Sequence, residues 1–366
     1  MRTSKIKDLL TDRGAVFTKR AGVEIVKSFG DPVKEYNAVR KAVGLCDFSF
    51  MTRHRVPEDG LDMLEQYAAG PVAAIRFGRV LHTMALNDEG LLESDLYIAN
   101  DDEEMIVLGE SLVEDDQTAK IFDNLNGKDV GLEDISQSTA VFGLDGCNAW
   151  AVAKDLFGPD VLGLPYLSIE NYELQGVEIK LIRAGKTSEF GYLLLVPANS
   201  AEKIWTNIEE AGVQHGLELV GADAHSALRL DGRFFNIHEE GAAVRDPLPL
   251  GLQWMIDMEG DAFRGSEALL ARRTAGLVKK IIGVMPADAT DSLEPGQKIF
   301  HAGHLVAEVV TAAWSPALNN HVGLALFGVE TAYAGLELIG NDGKKMKTIS
   351  MPPITAKSLS VKLDEM

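Results

Sequence analysis

The chain has 366 residues, 46% hydrophobic and 25% charged, enough apolar sequence for two or three domains or one large multilayer body around a sizeable core. Its net charge of −20, from 55 acidic and 35 basic residues, argues against nucleic acid or an anionic membrane as the main partner, because both need positive surface. No apolar run approaches the ~20 residues that span a bilayer, and the basic start MRTSKIKDLLTDRG lacks the apolar segment of a secretory signal, so a cytoplasmic protein is expected.

Asp31-Pro32 opens the first clear helical pattern, over 31–45, with Val33, Tyr36, Val39 and Val43 at helical spacing. HRVPEDGLDMLEQYAAG then reads as a strand, a turn and a helix ending at Gly70. Short apolar runs fill 76–108, with NDEG at 87–90 as the hairpin signal. If 91–98 is a strand, alternation sends Leu91, Glu93, Asp95 and Tyr97 to one face, which then carries two carboxylates. Near 133 the pattern restarts. STAVFGLDGCNAWAVAKDLFG repeats the strand, turn and helix order, YELQGVEIKLIRAGKTSEFGYLLLVP reads as a strand pair, and SAEKIWTNIEEAGVQHG is an amphipathic helix with Ile204, Trp205 and Ile208 inward. The repetition suggests a duplicated α+β unit over 1–275, in two subdomains. From Lys279 onward short strands alternate with Gly, Pro and Asn turns, which predicts an all-β C-terminal domain over 276–366, a barrel or sandwich.

Sharp catalytic motifs are absent: there is no P-loop, no GxGxxG after a strand, no HExxH and no GxSxG. Cys46 and Cys147 are too far apart for a CxxC motif and read as buried free thiols. His301 and His304 have ligand-like spacing but lack the third and fourth partners a zinc site needs, so no metal is expected. Three polar constellations remain. They are Glu93 with Asp95, then Arg183, Lys186 and Glu189 in IRAGKTSEFGY, and Arg229, Asp231, Arg233 and His238 in HSALRLDGRFFNIHEE.

The order of these segments resembles the tetrahydrofolate-dependent aminomethyltransferases typified by the glycine-cleavage T-protein, together with their demethylase relatives. YNAVRKAVGLCDFSFMTRHRV is similar to the family's opening motif, with Asp47, Ser49 and Met51 in place. LNDEGLLESDL resembles its Asn-acid-x-Gly-Gly…Asp-Asp segment, whose second Asp falls on Asp95. IRAGKTSEFGY resembles Arg-x-Gly-Tyr-Thr-Gly-Glu-x-Gly-Phe at Arg183, Gly185, Thr187, Glu189 and Gly191. LRLDGRFF places Arg229 on the family's Arg, PLPLGLQWMIDMEGDAFRGSEAL carries Trp254 within a matching stretch, and AEVVTAAWSPALNNHVGLAL follows near the end.

The resemblance implies a multi-domain α+β arrangement around a central folate pocket, with a C-terminal all-β barrel. It implies that Glu189 binds the pterin edge, where a carboxylate accepts two hydrogen bonds. It further implies a catalytic Asp95 near N5 and N10 of the reduced folate, stabilising charge as the carbon moves. Arg229, Met51, Arg183 and Trp254 complete the expected cofactor-binding set.

Several family positions are changed. Phe50 and Thr52 replace His and Gly, His82 and Lys186 each replace Tyr, Ser188 replaces Gly, Ser94 replaces Asp, and Gly109 falls on a common Asn. AHSALR stands where the family has ARDTLR, losing an Arg that the true T-protein places near its lipoyl partner. The rewritten rim argues for a paralogue rather than the housekeeping T-protein, and against a lipoyl carrier as partner. His82, Lys186, Phe50 and Tyr97 are the expected contacts for a small-molecule one-carbon donor, with Lys186 and His82 meeting a polar or anionic group. The leading expectation is methyl transfer from a small N-, O- or S-methyl or halomethyl donor, giving 5-methyltetrahydrofolate. The alternatives are aminomethyl transfer giving 5,10-methylenetetrahydrofolate, and a non-catalytic folate-binding accessory role. The signature of the family's iron–sulfur-linked accessory branch, Lys-x-Gly-Cys-Tyr-x-Gly-Gln-Glu, does not occur here.

Overall fold

The computed structural model describes residues 3–102 and 104–361; the first two residues of the basic N-terminal stretch lie outside the described residues. Two sheets pack face to face. The first, antiparallel, has the order Val80–Leu86, Leu92–Asp101, Glu104–Ser111, Thr52–Pro57, Glu133–Asp134. The second has the order Ile169–Leu174, Val177–Ile182, Gly191–Pro197, Thr139–Asp145, Val43–Asp47, Leu217–Leu219, and only its last pair is parallel. Between them lies a shared core that includes Met51, Tyr97, Leu108, Val141, Ile182 and Leu193. Helices cover the outer faces: Leu61–Tyr67 packs on the first sheet through Met63 and Leu64, and Ala149–Phe157 with Ala201–Gly212 covers the second. Ile204, Trp205 and Ile208 all point inward, as their spacing predicts, and Trp205 meets Phe142 edge-on at 5.0 Å.

The remainder from Lys279 forms a closed barrel in the order Lys279–Pro286, Asn320–Gly328, His304–Ser315, Lys298–His301, Glu337–Gly340, Lys345–Ile349. Closure removes the free edges that short Gly-punctuated strands would otherwise expose. His301 and His304 flank its Ala302-Gly303 turn, where both central residues have positive φ, the geometry of a two-residue hairpin. Among the described residues no helix is long and apolar enough to cross a membrane.

Three local expectations change. The helix after Asp31 runs Pro32–Lys41 and stops there, so Val43 opens a strand, and Val33 faces solvent. Asp31 caps it as expected, accepting from the Val33 and Lys34 amides. The strand pair expected over 172–197 is three antiparallel strands, because Gln175 and Gly176 take positive φ and turn the chain once more. Finally, Leu92–Asp101 is an interior strand buried on both faces rather than a half-wet one. Coverage by the second sheet on one side and by helix and loop on the other removes the polar face that alternation suggested.

Candidate functional site

Strand register assembles the polar centre. The hairpin between Leu92–Asp101 and Glu104–Ser111 pairs Asp101 with Glu104 and, further up, Asp95 with Glu110. The neighbouring strand sets His82 across from Tyr97, one step diagonal from Asp95. The bend after Ile182 then brings Lys186 over both carboxylates. Its Nζ donates to Asp95 Oδ2 at 2.5 Å and to Glu110 Oε1 at 2.7 Å, and it stands 5.0 Å from the centre of the Tyr97 ring. Asp95 Oδ1 meets His82 Nε2 at 2.7 Å. Arg229, from the helix Ala222–Asp231, donates from Nη1 to both Glu110 oxygens at 3.0 Å and approaches Asp95 at 3.7 Å.

All of these groups are buried. Burial by itself raises the Asp95 pKa, but the Lys186 ammonium and His82 outweigh it and hold the carboxyl at about 2. Glu110 is likewise pushed up by burial and driven well below its usual range by Arg229 and Lys186. His238 lies 3.9 Å from Glu110, and burial lowers its pKa to about 4, so it is neutral at pH 7. Two carboxylates are thus balanced by Lys186 and Arg229.

A narrow two-lobed cavity adjoins this centre, its lobes sharing Phe48, Glu110 and His225. Met51, Tyr97, Leu193, Asp145 and Lys186 wall one lobe; Arg20, Phe50, Arg229 and Asn236 wall the other. Each lobe has ≈ 20 Å3 of open space, room for a water and not for a bicyclic ring. Three buried polar atoms at these walls have no hydrogen-bond partner: Tyr97 Oη, His225 Nε2 and Arg229 Nε. His225 Nε2 is 3.8 Å from Asp145 Oδ2, beyond hydrogen-bond reach.

The expected site residues therefore separate. Asp95, His82, Lys186 and Arg229 form one cluster, while Met51, Tyr97 and Phe50 line the cavity. Asp95 itself stands one layer behind the wall, which it reaches through Lys186. Trp254 is largely exposed and meets His82 edge-on at 5.6 Å. Arg183 donates to the Leu164 carbonyl and stacks on Phe190, away from the cavity. Glu93 pairs with Arg264 rather than joining Asp95. Glu189 is occupied by the chain itself: it accepts from the Ser358 amide at 2.9 Å, the Ser358 hydroxyl at 2.6 Å, the Lys357 amide at 3.3 Å and Arg40 at 3.3 Å. Arg40 also binds Asp231, which accepts from Tyr36 and, at 2.9 Å, from Ser315 of the barrel.

Sequence reasoning missed Glu110, Arg20 and the aim of His225. The signal for Glu110 is the hairpin turn at Asp102: counting outward from it in register puts Glu110 opposite Asp95.

Residues 6–260 match the GCVT N-terminal domain family. The chain is 30% identical over 345 residues to the aminomethyltransferase of Geobacillus thermodenitrificans (strain NG80-2), covering 93% of this chain and 94% of that protein. It is 28% identical over 340 residues to the aminomethyltransferase of Bacillus subtilis (strain 168), covering 92% and 93%. The fold is similar to that of glycine cleavage system aminomethyltransferase T from Bartonella henselae, with a TM-score of 0.81 at 20% identity over 97% of this chain and 98% of that one.

Proposed function

The chain belongs to the family of the GCVT N-terminal domain, and on that premise we propose that it moves a one-carbon unit to tetrahydrofolate, by aminomethyl transfer as its relatives' names describe. It is a tetrahydrofolate-dependent enzyme of the aminomethyltransferase family. The observation that carries the reading is the meeting of Asp95 and Arg229, both at positions that match the family's motifs, in one buried cluster at the cavity wall.

The residues present suit a reduced folate in their chemistry, while the narrow lobe must open to admit its ring system. Met51, Leu193 and the Tyr97 ring offer flat apolar walls, and the unpartnered Tyr97 hydroxyl and His225 nitrogen await polar partners on a heterocycle. When bound, tetrahydrofolate supplies the accepting nitrogens and the protons they shed, which satisfy the leaving groups. Lys186 keeps one N–H free at Nζ after its bonds to Asp95 and Glu110, and with it stabilises the group that departs with the electron pair. Asp95 and Glu110 anchor that ammonium and keep the local charge balanced, so the wall needs little reorganisation as the carbon moves. Dry surroundings strengthen each of these contacts.

Glu189 is proposed to hold the pterin edge once residues 357–358 have moved aside. A hydrogen bond to a charged group contributes about 1.5–3 kcal/mol, so Ser358→Ala, which deletes the shortest of the bonds to Glu189, is expected to tighten tetrahydrofolate binding at least fivefold. Glu189→Ala is expected to weaken it at least tenfold. Folate-induced quenching of tryptophan fluorescence checks both, and equal affinities in the two variants would refute the pterin assignment.

A second reading, methyl transfer to give 5-methyltetrahydrofolate, is favoured by Lys186 standing where the family motif has Tyr. An ammonium suits a leaving oxygen or sulfur that gains negative charge, and it already occupies the counter-charge that a cationic donor would use. The donor is proposed to be a free small molecule, with a lipoyl carrier as the competing source. Incubating enzyme and tetrahydrofolate with aminomethylated lipoyl carrier, or with O- and S-methyl donors, and weighing the folate product separates the readings. If no donor yields a folate adduct, both fail.

A further inference from the structure

Ser188 lies between Lys186 and Glu189 and has a φ of +69°, in the left-handed region that a Cβ disfavours. Ala21, Gln175 and Ala302 also have positive φ, but each precedes a glycine at the tip of a two-residue hairpin, where that geometry closes the turn. Ser188 stands instead in the bend 183–190 between Val177–Ile182 and Gly191–Pro197, at the position where the family motif has Gly. Glycine would hold this conformation with less strain, so the strain here accompanies something only a side chain supplies.

The Ser188 hydroxyl donates to the Gly232 carbonyl at 3.0 Å. Gly232 ends the helix Ala222–Asp231 with a φ of −77°, which any residue adopts, so its missing side chain serves close approach rather than backbone freedom. A Cβ there would come within 2.7 Å of Ser188 Oγ and 3.3 Å of the Thr187 carbonyl. Both ends of the contact are thus fitted to it. The helix carries Arg229 and the bend carries Lys186, and both side chains donate to Glu110 Oε1, at 3.0 and 2.7 Å. Two cations from separate segments meet on one oxygen only if those segments stand at a fixed separation, and the repulsion between the cations opposes it. The Ser188–Gly232 bond ties the same two segments close to both cations, and Arg40 adds a parallel tie by donating to the Thr187 and Leu228 carbonyls.

We propose that Ser188 is a positioning residue, a clasp that fixes the separation between the Lys186 bend and the Arg229 helix and so sets the Lys186 ammonium at the cavity wall. Where the family motif has Tyr and Gly, this chain has a cation and, two residues on, the hydroxyl that holds its segment in place. The consequence for catalysis rests on the one-carbon transfer reading, whereas the placement of Lys186 does not.

The test uses the full chain with neither folate nor donor present. Brief acetylation with acetic anhydride, read by peptide mass spectrometry, reports how firmly the Lys186 ammonium is held, with Lys180, paired to Asp101, as the internal reference. Ser188→Gly removes the strain together with the hydroxyl, and Ser188→Ala removes the hydroxyl alone. Ser188→Asn supplies an amide donor on a side chain that tolerates positive φ. Loss of one hydrogen bond is expected to raise the Lys186-to-Lys180 labelling ratio about fivefold in both the Gly and Ala variants, and Asn to bring it back to within about twofold of wild type. The Gly variant is expected to melt within about 2 °C of wild type and the Ala variant about 3 °C lower, because only Ala retains the strain. If Ser188→Gly leaves the ratio unchanged, or if the ratio follows Tm across the variants rather than the presence of a donor, the proposal falls. Tetrahydrofolate binding is measured on the same proteins by fluorescence. A raised ratio in Ser188→Gly, when the wild type binds no tetrahydrofolate, would sustain the clasp and overturn the transfer reading instead.

Discussion

Replacing Asp95 by Asn is expected to reduce kcat by about 100-fold while leaving the KM for tetrahydrofolate within threefold of wild type. Removing one preorganised electrostatic partner typically costs two to three orders of magnitude in rate. The mechanism is specific here, because Asp95 serves His82 with one oxygen and Lys186 with the other. An amide keeps one acceptor and turns an N–H donor toward either the ammonium or the imidazole. Lys186 then loses its shorter anchor and drifts toward Glu110, away from the placement that stabilises the leaving group. A split between kcat and KM marks Asp95 as a positioning residue, whereas equal turnover in the variant would refute the role. Linkage adds a check on sign. The folded pKa of about 2 lies below the unfolded value near 3.9, so the stability Asp95 contributes is present above pH ~4 and is lost as pH falls toward 2.

Lys186→Met should be the most damaging substitution for the folded state, costing about 3–5 kcal/mol, because breaking a buried ion pair from one side strands charge. Two carboxylates would share Arg229 as the only remaining fixed cation of the cluster. One of them is then driven to take up a proton, so its folded pKa rises above the unfolded one. Stability gained by that proton is present at low pH and is lost as pH rises through the new value, the reverse of the wild-type trend. Urea denaturation at pH 5 and pH 8 tests this: the variant should be the more stable at pH 5. A variant that unfolds at the same urea concentration as wild type at pH 8 would mean that the charges are solvated.

The helix–strand order and the barrel were legible because each rests on local signals: Asp31 as a cap, Ile204, Trp205 and Ile208 on one helix face, and Gly-centred turns between short strands. The resemblance also located Asp95, Lys186, His82 and Arg229, which do converge. What escaped depends on relations between segments. Glu110 requires the register of a hairpin, and Arg20 requires knowing where a different hairpin docks. Glu189 illustrates the converse, since its motif match is sound by sequence while residues 357–358 occupy its oxygens in space. The face shared by Glu93 and Asp95 was misleading for a related reason. Alternation assigns faces, but only packing decides what each face meets, and here Arg264 takes Glu93 while Lys186 takes Asp95.

The Asp231 carboxylate, which joins Tyr36, Arg40 and the barrel's Ser315, has a consequence for how the molecule comes apart. A buried acceptor cannot release one of three donors without leaving a charge poorly solvated, so the barrel's departure and the loosening of Arg40 from Glu189 are one event. Melting should accordingly be a single cooperative transition, with the barrel and the residues around Arg40 and Glu189 losing amide protection together. Damage on the outer wall of the barrel would then register as weakened ligand binding far away in sequence, with no contact changed in the cavity itself.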